Sequence, residues 1–281
     1  MTIPNKLEQA IIGEKELSKA RFDEQGVLYT YDHKVLIKCP DKLEYVTVHP
    51  KTKIIANYAF VGCRIKNINI PESLEIIGHH AFHGSSLEYI NIPDSVHTIG
   101  HDAFRWCQLL NKISLPSELT ELQESTFQKC ICLETVVIPP SVETIGGGCF
   151  SGCFKINLKI KNLDFLVSDD CLYQLSKKSL ISCWSLKKEK CLAKGLLRVE
   201  NKSFAACKHF DSIKIPNSVK YIGNNLFGDY GVSSIFIPAS VETIEPFAFD
   251  HNVKNIYVQA GQSERIKSML PSTYHKIICE I

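Results

Sequence analysis

Eight phenylalanines constrain this chain more than any other feature. Phe60, Phe82, Phe104, Phe127, Phe150, Phe204, Phe227 and Phe249 follow one another at gaps of 22, 22, 23, 23, 54, 23 and 22 residues. Twelve residues ahead of each stands an aliphatic residue: Val48, Ile70, Ile92, Leu115, Ile138, Leu192, Ile215 and Ile237. Seven residues beyond that comes a second: Ile55, Ile77, Ile99, Leu122, Ile145, Val199, Ile222 and Ile244. A fixed period of this length marks a repeat architecture. A lone unit of 22 residues cannot hide its apolar side, whereas stacked copies cover one another. The spacing predicts a β-rich α+β solenoid of 22–23-residue units.

Spacing inside the unit predicts its local shape. In "LEYINIP" (87–93), Leu87, Ile90 and Ile92 are apolar and Asn91 is polar, which suits a short strand with one buried face. Proline ends it, having no N–H to donate. "SVHTIG" (95–100) turns the chain and buries Val96 and Ile99, with Gly100 allowing a tight corner. "HDAFRWC" (101–107) suggests about one helical turn with Phe104 and Cys107 pointing inward.

A longer period is superposed. Shifted by 144 residues, "VLYTYDHKVLIKC" (27–39) lies on "CLYQLSKKSLISC" (171–183). Both are apolar runs flanking a polar turn and read as β-hairpin insertions. The expected organisation is an N-terminal extension (1–25), a first array opened by its hairpin (26–160), a second hairpin with its array (161–258) and a C-terminal cap (259–281). The first hairpin covers the end of a stack, and the second bulges from the side or marks a bend. In the cap, Ser263 starts a short helix, Pro271 stops it and 276–281 forms a last strand.

Phase within the repeat disposes of several site-like stretches. In "SVETIGGGCFSGC" (141–153), Cys149 falls in the slot of Ala59, Ala81, Ala103 and Ala248. Gly146 falls in the corner slot of Gly78, Gly100 and Gly223. The GK[ST] ending of a phosphate loop is missing. Cys63, Cys107, Cys130, Cys153 and Cys207 share one slot, so the spacing predicts a core ladder of free thiols. That favours a reducing compartment over a disulfide framework. His79, His80, His83, His97 and His101 cluster in two successive units, with His79 and His101 about 5 Å apart on adjacent turns. The simpler expectation for them is solvated convex surface, with no metal ligands and no cofactor.

The unit L-x-x-I-x-I-P-x-S-V-x-x-I-G-x-x-A-F-x-x-C stands nearly intact as "LEYINIPDSVHTIGHDAFRWC" (87–107), and the chain resembles BspA-like (Treponema-type) leucine-rich repeat proteins over roughly 26–281. The hairpin "GVLYTYDHKVLIKCP" (26–40) and the ending "IYVQAGQSERIKSMLP" (256–271) share the likeness. The resemblance implies a solenoid without catalytic residues. It also implies kinship with bacterial adhesins that bind host proteins and with surface antigens of parasitic protists.

Function is expected on a surface. No GxSxG, HExxH or GxGxxG motif occurs, so an enzyme is not expected and no catalytic residue is assigned. The chain carries 32 basic and 30 acidic residues, net +2, which gives no electrostatic case for nucleic acid. No apolar run suits membrane insertion, and the start lacks a basic-then-apolar secretory leader. Localisation is left open between cytoplasm, by sequence, and cell surface, by resemblance. Strand residues facing away from the core should tile one concave sheet: Asn67, Asn69, Tyr89, Asn91, Lys112, Ser114, Thr135, Val137, Lys214, Phe236 and Tyr257. The exposed aromatics among them suit an interface. The leading expectation is a non-catalytic, adhesin-like module binding a protein, such as a host or extracellular-matrix protein, with a glycan as a further ligand class. The alternative is an intracellular scaffold for protein–protein interactions.

Overall fold

Each coil lays down two short parallel strands joined by a proline turn, then closes along a phenylalanine-bearing edge. The computed structural model describes residues 6–186, 192–207, 210–228, 232–249 and 253–281. Contacts divide the chain into two compact units, Met1–Ile145 with Cys153–Leu163 and Gly146–Gly152 with Asp164–Ile281, and each is a β-solenoid stack.

In the first unit, strands Tyr45–Thr47 and Asn67–Asn69 pair in parallel. Tyr89–Asn91, Lys112–Ser114, Thr135–Ile138 and Asn157–Ile160 form a four-stranded parallel sheet. Alternation buries Val46, Ile90, Ile113 and Val136 and turns their neighbours outward. The expected continuous sheet is interrupted between Asn67–Asn69 and Tyr89–Asn91, where the Glu88 N–H still reaches the Lys66 carbonyl at 2.9 Å.

A second row of strands occupies what the sequence read only as a turn. Ile54–Ile55, Ile76–Ile77 and Thr98–Ile99 extend a sheet begun by the hairpin strands Leu28–Tyr29 and Val35–Lys38, and Glu121–Leu122 pairs with Thr144–Ile145. Two residues are too few to show alternation, so pattern reading misses them. Between the two rows the chain turns at proline, as where the Pro71 carbonyl accepts the Leu74 N–H at 3.1 Å. The serine of the P-x-S motif fastens that turn to the preceding coil. Ser73 Oγ donates to the Thr52 carbonyl at 2.7 Å, and Ser141 Oγ to the Leu119 carbonyl at 2.8 Å.

The phenylalanine segment is not the helical turn that spacing suggested. Tyr58, His80, Asp102 and Ser125, each two residues before its Phe, hold left-handed backbone with φ of 61°, 53°, 55° and 57°. Alternate N–H groups therefore aim at the next coil: Phe60 donates to Ala81 at 2.7 Å, Phe82 to Ala103 at 2.8 Å and Phe104 to Thr126 at 2.9 Å. An α-helix would use those donors internally and leave nothing to bind its neighbour.

Inside, the rings stack. Phe60–Phe82, Phe82–Phe104 and Phe104–Phe127 have centroids 4.8, 5.2 and 5.5 Å apart and planes within 11° of parallel. The cysteine ladder lies alongside. Cys107, Cys130 and Cys153 are buried and donate S–H to the carbonyls of Phe82, Phe104 and Phe127 at 3.0, 3.1 and 3.0 Å. These thiols thus satisfy backbone acceptors as well as filling space. Gly100 is needed for a reason other than corner flexibility. A Cβ there would lie 2.6 Å from the His79 nitrogen and 2.7 Å from the Gly78 carbonyl carbon, because the preceding coil's backbone passes at contact distance.

The N-terminal segment packs on this stack. The 3-10 helix Lys6–Ala10 buries Leu7 and Ala10 against strands Ile54–Ile55 and Ile76–Ile77, and the Ala10 carbonyl accepts the Asn57 N–H at 3.0 Å. Strand Arg21–Phe22 pairs antiparallel with Leu28–Tyr29 and forms the outer edge of the sheet. An exposed strand edge invites pairing with other chains, which a short two-residue strand discourages.

The second unit repeats the plan. Ser212–Lys214, Ser234–Ile237, Asn255–Val258 and Ile278–Glu280 form one parallel sheet. The predicted hairpin is present, Cys171–Gln174 pairing antiparallel with Ser179–Cys183. It does not bulge aside: Ser179–Cys183 pairs in parallel with Arg198–Val199 and so starts this unit's second row. The glycine triplet serves close packing. The Gly148 N–H donates to the Ile181 carbonyl at 2.8 Å, and Ser151 Oγ to the Ser203 carbonyl at 3.0 Å. At the end, helix Ser263–Met269 has Gln262 rather than Ser263 as its N-cap. The Glu280 carboxylate accepts the Ser263 N–H at 3.0 Å. The backbone N–H groups of Ser263 and Gly261 hold the Glu280 carboxyl below the usual carboxylate range. A residue of the last strand thus performs the capping expected of a local serine.

Candidate functional site: the outward sheet face

In the first unit the outward side chains form two shallow recesses. Tyr45, Thr47, Asn67, Asn69, Tyr89 and Asn91 line a space of about 370 Å³ that spans the interruption in the sheet. Lys112, Ser114, Glu134, Thr135 and Val137, with Pro139 and Pro140, line another of about 750 Å³. Register explains the grouping: Tyr45 lies beside Asn67, Thr47 beside Asn69, and Tyr89 beside Lys112 and then Thr135. Tyr45 is 64% and Val137 53% exposed, large areas for an aromatic and an aliphatic side chain on a sheet. The Lys112 ammonium sits 5.8 Å from the Tyr89 ring centre, within cation–π range.

The remaining expected residues lie on the second unit's sheet. Lys214, Phe236 and Tyr257 stand side by side in one row, and Phe236 and Tyr257 are half-buried rather than fully exposed. The Lys214 ammonium is 5.3 Å from the Phe236 ring centre. Tyr45 and Thr47 were missed by sequence reading, although Tyr45 stands 22 residues before Asn67, the repeat distance. Amide, hydroxyl and aromatic groups in such a row can hydrogen-bond and stack on an extended chain. They include no nucleophile paired with a base.

The histidines occupy a different edge of the first unit. His97 is exposed, but His79, His80, His83 and His101 are half-buried, so the expected solvated surface forms only in part. The reason lies in the coil-to-coil hydrogen bonding. His79 Nδ1 accepts the His101 N–H at 3.1 Å, as Asn57 Oδ1 accepts the His79 N–H at 2.7 Å. The His79 and His101 rings stack at 3.8 Å, closer than strand spacing alone would put them. Burial, with help from the neighbouring His101, lowers the His79 pKa to about 4. Burial also pushes His80 and His83 down. His80 lies flat on Tyr58 at 4.9 Å and meets the edge of His101 at 5.1 Å. Asp102 is 4% exposed. Its carboxylate accepts from Arg105 at 3.1 Å and lies 3.0 Å from His101 Nδ1.

Asp164, beside the second hairpin, holds the hairpin together. Asp164 accepts hydrogen bonds from the Ser176 N–H and hydroxyl at 2.7 Å each and from the Gln174 amide at 2.9 Å, which fixes the hairpin turn. Among the described residues no helix is long and apolar enough to cross a membrane.

Comparison with known proteins gives the same architecture. A search of curated proteins finds no match. Among solved structures, a leucine-rich cell surface protein from Faecalibacterium prausnitzii superposes with a TM-score of 0.54 at 19% identity, over 85% of this chain and 88% of that one. The pneumococcal vaccine antigen PcpA does so at 0.51 and 19% identity, over 93% and 82%. At such identities the likeness speaks for fold. The family model for the BspA type leucine-rich repeat region matches six copies, over residues 33–157 and 173–274. With the repeat seen residue by residue in the stacked rings, thiols and proline turns, the chain belongs to the BspA-type leucine-rich repeat family.

Proposed function

We propose that the chain is a non-catalytic protein-binding module that receives an extended segment of its partner across the outward sheet face. The observation that carries this reading is the first unit's outward face, where exposed Tyr45 and Tyr89 stand among Asn67, Asn69 and Asn91, and exposed Val137 stands by Lys112, Ser114 and Thr135. Leucine-rich repeat proteins generally bind proteins, and aromatic anchors within a polar surround are the usual energetic centre of an interface. The version of this reading we favour is an adhesin-like role at a cell surface, toward a host or matrix protein; the fold shared with a leucine-rich cell surface protein and a vaccine antigen is consistent with it. One observation favours the scaffold reading: the described cysteines are free and nine are buried, which suits a reducing compartment.

The test has two stages. Partners are captured on the intact chain, both from matrix extracts and from cytosol, and then titrated against Tyr45→Ala and Tyr89→Ala variants. Each substitution should weaken a genuine partner about tenfold or more, that is by at least about 1.4 kcal/mol, with the melting temperature unchanged. Affinity indifferent to both would count against this face. A glycan that competes with the captured protein would move the reading from protein to carbohydrate.

A further inference from the structure

We infer that His80, His101 and Asp102 form a binding site for a divalent transition-metal ion of the zinc class. Each residue offers one ligand atom, and the three atoms lie within 4.8 Å of one another. Two imidazoles and a carboxylate are a donor set suited to zinc and to cobalt as its stand-in. Around a tetrahedral ion, bonds of about 2.0–2.2 Å place donors roughly 3.3 Å apart, so small side-chain rotations close the set. His101 and Asp102 are neighbours in sequence, but His80 reaches them from another coil. His80 belongs to one coil, and His101 and Asp102 belong to the next, brought alongside by the hydrogen bond from the His80 N–H to the His101 carbonyl at 3.1 Å.

The surroundings hold these groups in place. Tyr58 stacks on the His80 ring, and His79 stacks on the His101 ring. The guanidinium of Arg105 holds one oxygen of the buried Asp102 carboxylate and leaves the other, Oδ2, toward His101. Partners of this kind orient metal ligands in protein sites. The neighbouring positive charge of Arg105 lowers affinity for a cation, so the site is moderate in strength rather than a structural zinc on which folding depends. Three protein ligands leave the fourth tetrahedral position for water or for a donor from a partner.

The experiment uses the full, tag-free chain carrying Cys279→Ser, which removes the thiol that is exposed among the described cysteines as a rival ligand. After chelation and dialysis, Zn²⁺ is titrated calorimetrically and Co²⁺ by visible spectroscopy. One equivalent should bind, with Co²⁺ giving tetrahedral bands without thiolate charge transfer. His80→Gln and His101→Gln should each weaken binding tenfold or more, whereas His97→Gln should leave it unchanged. If a variant fails to fold, nitrogen resonances of the histidine rings in the parent report instead: Zn²⁺ should shift His80 and His101 and spare His97. No saturation below about 1 mM, a thiolate spectrum, or binding that survives both substitutions would overturn the assignment.

Discussion

Replacing Phe104 by alanine should be the most informative single perturbation of this fold. Phe104 is fully buried and stacks on Phe82 at 5.2 Å and on Phe127 at 5.5 Å. Truncating a buried phenylalanine costs about 3–5 kcal/mol. Loss of two stacked pairs, each worth about 0.5–1.5 kcal/mol beyond area, puts the expected cost in the upper half of that range. Phe60 has one described ring neighbour in the ladder, Phe82 at 4.8 Å, so Phe60→Ala should cost less by about one pair, 0.5–1.5 kcal/mol. That difference is the signature of a stack in which each coil interacts with its two neighbours. The chain has two tryptophans, Trp106 in the first unit and Trp184 in the second. Urea unfolding in a Trp184→Phe background, followed by Trp106 fluorescence, therefore reads the unit that carries the mutation. A cost below about 1 kcal/mol for Phe104→Ala, or a larger cost at Phe60 than at Phe104, would refute the stacked-coil energetics.

Gly100→Ala should destabilise by about 1–3 kcal/mol through overpacking, read in the same assay, because its Cβ meets backbone that has no room to yield; a neutral result would show that the coils separate easily. Alkaline pH should destabilise the first hairpin. Burial pushes the Tyr29 hydroxyl up to about 12 against an ordinary 10, with the His49 N–H bond opposing only in part. The unfolded chain therefore loses that proton first, and the stability present below pH 10 declines as pH rises toward 12, by at most about 2–3 kcal/mol. Tyr29→Phe should flatten that part of the stability curve, measured by urea midpoints across the range. Among the described cysteines, thiol labelling should separate Cys279, which is exposed and reacts at once, and the half-buried Cys132 from the nine buried thiols, which wait for unfolding. Burial also pushes the Cys107 thiol up to about 12, which adds to its inertness. Rapid labelling of the whole set in native buffer would contradict the buried ladder.

Much of this molecule was legible before any coordinates. The phenylalanine interval gave the coil length, the aliphatic offsets gave the core, and Cys107, Cys130 and Cys153 fell in one slot because each coil presents the same slot to the same neighbour. The hairpin at 171–183 was visible as a copy of 27–39. The second row of strands was not, since Ile54–Ile55 and its successors are too short to carry a period. Nor was the left-handed backbone at Tyr58, His80 and Asp102, whose side chains share no chemistry that would announce it.

The outward face was partly legible for the same reason: alternation names Asn67, Tyr89 and Lys112, while the recesses depend on which rows stand side by side. The histidines show the boundary clearly. Their sequence positions gave a stack of His79 on His101, but His80 approaches His101 and Asp102 only because hydrogen bonds cross between coils at that edge. A repeated sequence determines which side chains recur and which point inward, since periodicity acts along the chain. Burial of a charge such as Asp102, clearance at Gly100 and proximity of donors from different coils belong to the tertiary structure, because they depend on distances across the stack that no linear spacing contains.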